Sequence, residues 1–132
     1  MITYLWIAIG GALGSVARYG ATNLFSNWFG ANFPWGTLIV NVSGSFVIGF
    51  FGALTGLDGR LLVSSDVRLF VMVGICGGYT TFSAFSLQTL GLIREGHVAS
   101  AGLNIGGSVI LCLLAVWLGY LAAAAINALR AG

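Results

Sequence analysis

Residues 74–86 read Gly-Ile-Cys-Gly-Gly-Tyr-Thr-Thr-Phe-Ser-Ala-Phe-Ser, in the middle of a long apolar stretch. A helix facing lipid has no use for adjacent glycines, adjacent threonines and two serines at bilayer depth. Irregular or hydroxyl-rich backbone is tolerated there only where it is buried in protein or lines a wet cavity. The segment therefore predicts a solute path through a membrane. Phe82 and Phe85, about one helical turn apart, lie on that path with the hydroxyls of Thr81 and Ser83.

The rest of the chain fits a membrane setting. Only 6% of its 132 residues are charged, whereas a soluble domain carries about a quarter. Such a chain cannot cover itself with a water-compatible shell, and it reads as a single integral membrane domain over residues 1–132. Five scattered arginines, with no lysine, form no nucleic-acid patch. Cys76 and Cys112 both fall inside apolar runs and read as packing residues, not as a disulfide or metal framework. The start Met-Ile-Thr-Tyr-Leu-Trp lacks a basic region, so the first run is expected to be a retained span.

Hydropathy predicts four spans: 2–19, 36–57, 66–93 and 98–128. Pro34 stands just before the second, where a helix start tolerates it. The third covers roughly 28 residues where a straight helix needs about 20, and the surplus predicts a helix interrupted at Gly77-Gly78. Small residues at helix-packing spacing (Gly10 and Gly14, Gly52 and Gly56, Gly102 and Gly106) predict close backbone approach within the bundle.

Four spans put Arg60, Arg68 and Arg130 on one side of the membrane and Arg18 and Arg94 on the other. Three against two is a weak instruction under the positive-inside rule. A chain with so little bias can insert both ways, and two opposed copies can then pair about an axis in the membrane plane, like an inverted repeat built from two chains. A bundle this thin would form a pore more naturally between subunits than within one.

Two uncharged stripes recur at i, i+4, i+8: Thr37, Asn41 and Ser45 in the second span, and Asn104, Ser108 and Cys112 in the fourth. They supply N–H and O–H donors suited to a small anion; equally, such groups join helices by interhelical hydrogen bonds. The positive edges of the Phe82 and Phe85 rings can contact an anion without a fixed charge that would hold it too tightly. A helix restarting after a break adds its amide N–H groups and positive dipole end. The carbonyls of the half-helix before it favour a cation. Arg18 either snorkels to the interface or places a positive charge at a vestibule that concentrates anions. No acidic residue lies deep in a predicted span, which argues against proton coupling. His97, beside Glu95, is a loop residue. No nucleophile is paired with a base, so the sequence does not read as an enzyme.

Three segments together identify a resemblance. Gly10-Gly11-Ala12-Leu13-Gly14-Ser15-Val16-Ala17-Arg18-Tyr19, residues 36–44 (Gly-Thr-Leu-Ile-Val-Asn-Val-Ser-Gly) and residues 77–86 (Gly-Gly-Tyr-Thr-Thr-Phe-Ser-Ala-Phe-Ser) occur in that order along nearly the whole chain. The chain closely resembles the Fluc (CrcB-type) fluoride channels. The resemblance implies an all-α membrane protein of four transmembrane helices with a broken third, paired as an antiparallel dual-topology homodimer with two fluoride pathways. It implies passive fluoride export across a prokaryotic inner membrane, protecting the cytoplasm. Phe82 and Phe85 become the pore phenylalanines, Asn41 the pore asparagine and Ser108 part of a polar track. It also implies a structural Na⁺ at the dimer centre, held by the backbone carbonyls of Gly77 and Thr80. Cys112 departs from the hydroxyl often found at its position. The competing readings are a small four-helix proton-coupled multidrug exporter, of similar size and topology, and a structural membrane subunit without transport of its own.

Overall fold

The computed structural model describes residues 1–131, with the side chains of Arg130 and Ala131 outside the described residues. Arg130, one of the five charges in the orientation balance, therefore contributes no side-chain position. The described residues form helices and turns. α1 spans Ile2–Phe29 and α2 Trp35–Leu54. A first arm then comprises α3 (Ser65–Leu69), a wider π-helical segment (Phe70–Cys76) and the short turn α4 (Gly77–Tyr79). α5 (Phe82–Arg94) and α6 (Val98–Ala131) complete the chain.

Among the described residues, three stretches are long and apolar enough to cross a membrane: Trp35–Leu54, Ser65–Arg94 and Val98–Leu129. α1 has the length, at 28 residues, but its second half carries Arg18, Asn23, Ser26 and Asn27 and is less apolar. It also runs ten residues past its expected end at Tyr19. Phe25 packs edge-on against Trp28, with ring centroids 5.6 Å apart, and Phe29 reaches Trp35 at 6.0 Å. This aromatic cluster ties the end of α1 to the start of α2.

Glycines set the helix contacts. A Cβ on Gly74 would lie 2.9 Å from the Gly10 Cα, and one on Gly78 would lie 2.6 Å from the Gly11 carbonyl oxygen. α1 and the first arm thus touch backbone to backbone, with Gly10 and Gly14 of α1 buried there. α2 and α6 make the second close pair: a Cβ on Gly49 would strike the Val116 carbonyl, and one on Gly119 the Phe46 carbonyl. Without a hydrophobic driving force between helices in lipid, such approach maximises dispersion contact. The other expected pairs behave differently. Gly52 meets only the end of the Met72 side chain, Gly56 only its own helix end, and Gly102 and Gly106 face open space.

Asp66, Arg68 and Arg60 sit near helix ends. Thr3 Oγ1 donates to Asp66 Oδ1 at 2.8 Å, tying the start of α1 to α3. The Arg68 guanidinium donates to the Gly52 carbonyl and the Thr55 hydroxyl, closing the end of α2. Asn127 staples the turn after α2 onto α6, accepting from the Arg60 amide at 2.7 Å and donating to the Ala53 carbonyl at 3.3 Å.

Candidate functional site

The helical backbone stops at Tyr79 and resumes at Phe82. Thr80 (φ −82°, ψ 155°) and Thr81 (φ −151°, ψ 110°) between them are extended. The sequence places the interruption at Gly77-Gly78. Instead Gly77 is helical, at φ −64° and ψ −38°, and Gly78 lies with it in α4. Freedom of backbone is not what Gly78 supplies here. It supplies the space that lets Gly11 approach, and the chain departs from the helix only after that contact.

The interruption is held by side chains standing in for backbone. Asn41 Oδ1 accepts from the Thr81 amide at 2.7 Å, and Asn41 Nδ2 donates to the Thr81 carbonyl at 3.1 Å. One residue of the broken strand thereby gains both partners from one side chain on α2. Thr81 Oγ1 caps α5 by accepting from the Ala84 amide at 3.1 Å and shares a 3.2 Å hydrogen bond with Ser83 Oγ. Arg18 Nε donates to the Gly78 carbonyl at 3.1 Å. Its guanidinium sits where the first arm ends, and a cation there complements the helix dipole.

These substitutions leave carbonyls at the end of the first arm short of their usual donors, those of Gly77 and Thr80 among them. In an unbroken helix the Thr81 amide would close on the Gly77 carbonyl and the Ala84 amide on the Thr80 carbonyl. Asn41 and the Thr81 hydroxyl take those donors instead. The Gly77 and Thr80 residues both line the groove beside the interruption.

That groove has a volume of about 390 Å³. α2 supplies Asn41, Gly44, Ser45 and Ile48; the first arm Cys76, Gly77 and Thr80; α5 Phe82 and Phe85; and α6 Ser108, Val109, Cys112 and Leu113, with Thr81 at the interruption itself. The structure thus gathers Asn41, Thr80, Thr81, Phe82, Phe85 and Ser108 into one wall set. Ser83 joins it through its bond to Thr81, whereas Arg18 does not line it and bonds the Gly78 carbonyl at the end of the first arm. The two phenylalanine rings stand 5.3 Å apart at 47°. Phe85 is 9% exposed and Phe82 77%, so Phe82 presents its ring outward from the chain. No carboxylate lines the groove among the described residues.

Two groups escape sequence reading. Tyr79 OH and Ser43 Oγ are 3.0 Å apart, joining the first arm to α2. Thr89 sits on α5 and accepts a 3.0 Å hydrogen bond from Asn104 Nδ2. Asn104, 2% exposed, does not line the groove and serves as an interhelical bond.

The comparisons with known proteins fall on this architecture. The family model described as CrcB-like protein, Camphor Resistance (CrcB) matches residues 5–120. A Methylocella silvestris protein named fluoride-specific ion channel FluC is 59% identical over 127 residues, covering 96% of this chain and 97% of its own. Relatives of the same name from Opitutus terrae and Rhodospirillum rubrum are 57% and 56% identical, with 98% and 96% of this chain covered and 98% of each relative. The chain belongs to the CrcB-like family of multi-pass membrane proteins of bacteria, a family of ion channels and not of enzymes.

Proposed function

We propose that the chain is a passive, fluoride-selective channel that lets fluoride leave the cell. The observation that carries this is the interruption at Thr80–Thr81. It brings hydroxyls, the outward-facing start of α5 and two aromatic rings to one groove without any carboxylate. The first amides of a helix have no intrahelical acceptor; here the Thr81 hydroxyl takes that of Ala84, and those of Phe82 and Ser83 are the donors this reading offers to the anion. A dehydrated fluoride ion moves among these N–H groups, hydroxyls and ring edges. None is a full charge, so none holds it past release. HF enters a cell as a neutral molecule and ionises inside, so an anion path alone suffices for export.

The finer architecture belongs to the same reading. α1 is the fourth span, the interruption divides the third, and two copies insert in opposite orientations and pair. Pairing explains Phe82: a ring 77% exposed beside Thr81 and Ser83 is covered by the second copy, and each pathway is completed there. Arg18 lends positive charge to the groove's approach while anchoring Gly78.

A Na⁺ ion fits the interruption. The carbonyls of Gly77 and Thr80, among those the interruption deprives of helix donors, are hard neutral oxygens, the ligand type such a cation prefers. They would hold it by backbone, and two copies would contribute four oxygens. Bound there, the ion supplies positive charge that offsets the carbonyl end of the first arm.

Growth tests the function. In a bacterium stripped of its own fluoride and multidrug exporters, the chain should restore growth in fluoride and leave sensitivity to cationic dyes unchanged. Phe82→Ile with Phe85→Ile, which keeps apolar bulk but removes the positive ring edges, should lose most of that protection while the protein still accumulates. Dye resistance without fluoride resistance would favour the proton-coupled exporter. Full protection by the double variant would reassign the rings to packing.

A further inference from the structure

The groove has two walls that must keep register, α5 with Phe85 and α6 with Ser108. Behind them runs a buried chain of hydrogen bonds. Thr89 Oγ1 donates to the Phe85 carbonyl at 2.7 Å, Asn104 Nδ2 donates to Thr89 Oγ1 at 3.0 Å, and Ser108 Oγ donates to Asn104 Oδ1 at 3.3 Å. Asn104 is 2% exposed, and Thr89 and Ser108 are each 8%. We infer that Asn104 and Thr89 are positioning residues of the conducting path, fixing the Phe85 segment and the Ser108 hydroxyl relative to each other.

Donor and acceptor counting sets the direction of this chain. The single Thr89 proton is spent on the Phe85 carbonyl, so its oxygen can only accept. Asn104 must then turn its NH₂ towards Thr89 and its oxygen towards Ser108. Ser108 gives its one proton to that oxygen and keeps its lone pairs free. An anion that takes a hydrogen bond from Ser108 must draw the hydroxyl away from Asn104, so Asn104 is the resting acceptor against which the anion competes. Inside a bilayer none of these groups has water to fall back on, which makes the arrangement stiff.

The inference rests on the fluoride-conduction reading, and isosteric variants at Thr89 separate positioning from packing. Valine keeps the shape of threonine and removes the oxygen; serine keeps the oxygen and leaves a gap. Fluoride efflux from vesicles holding equal amounts of assembled protein is the readout. Thr89→Ser should keep at least about half of the wild-type rate, while Thr89→Val, which loses both the bond to the Phe85 carbonyl and the one from Asn104, should fall by at least about fivefold, the scale of roughly 1 kcal/mol. Asn104→Leu should fall at least as far, and adding Thr89→Val to it should cost less than Thr89→Val costs the wild type, because the two variants share the Asn104–Thr89 link. If Asn104→Leu does not assemble, the Thr89 pair decides alone. Full flux in Thr89→Val, or a greater loss in Thr89→Ser than in Thr89→Val, would overturn the positioning role. Wild-type vesicles that pass no fluoride would overturn the conduction reading and this inference with it.

Discussion

Asn41→Leu is expected to remove both hydrogen bonds that hold Thr81, leaving its amide unpartnered inside the bundle, while its carbonyl, at the N-cap of α5, keeps only the first intrahelical bond. An orphaned buried amide costs about 1–3 kcal/mol, and the interrupted conformation loses about that much. Leucine keeps the branching and the heavy-atom count of asparagine, with bulkier methyl groups, and removes every donor and acceptor, so the loss falls chiefly on the interruption. With the Thr81 amide released, the acceptor it would have in an unbroken helix is the Gly77 carbonyl, and the third stretch would close towards a continuous helix. That would withdraw the carbonyls proposed for Na⁺ and the open amides proposed for fluoride together. Fluoride flux should drop by more than about tenfold, the equivalent of 1.4 kcal/mol in a barrier. Thermal unfolding in detergent should begin at lower temperature. Unchanged flux and stability would show that the interruption does not depend on Asn41.

Gly78→Leu should be the most damaging single change to the bundle. Its Cβ would lie 2.6 Å from the Gly11 carbonyl oxygen and 3.1 Å from the Gly11 Cα. Both are backbone atoms and cannot turn aside, so α1 must move away from the first arm. Overpacking of this kind costs about 1–3 kcal/mol or more, and here the same displacement also pulls Arg18 from the Gly78 carbonyl. Gly11→Ala is the matched control, because a Cβ there meets nothing within 4 Å. Gly78→Leu should yield little monodisperse protein, and Gly11→Ala about as much as wild type. Equal recovery of the two would mean that the glycine contact does not hold α1 in place.

The order of helices was largely legible because burial in lipid writes itself as hydropathy. Trp35–Leu54, Ser65–Arg94 and Val98–Leu129 lie within three residues of the ends read from the sequence. α1 was harder: its last third is held by Phe25, Trp28 and Phe29 against Trp35, a tertiary cluster that does not show as an apolar run. The interruption was misplaced for a related reason. Adjacent glycines announce flexibility, but here Gly78 answers to Gly11 across the helix contact, while two threonines and a distant asparagine make the break. A residue 40 positions away supplying both partners leaves no local mark. Among the site residues, Asn41, Thr81, Phe82, Phe85 and Ser108 meet in one groove. Asn104 shares the i, i+4, i+8 stripe with Ser108 but turns to Thr89, because a stripe fixes only a helix face and its two edges can meet different neighbours.

Efflux from liposomes tests the central claim most directly. Purified protein should be reconstituted into vesicles loaded with either fluoride or chloride, with a K⁺ ionophore to balance charge, no pH gradient and no nucleotide. Fluoride should leave rapidly once the ionophore is added, and chloride should stay. Equal efflux of the two anions, or fluoride release only when a proton gradient is imposed, would contradict a passive fluoride-selective path at the Thr80–Thr81 interruption.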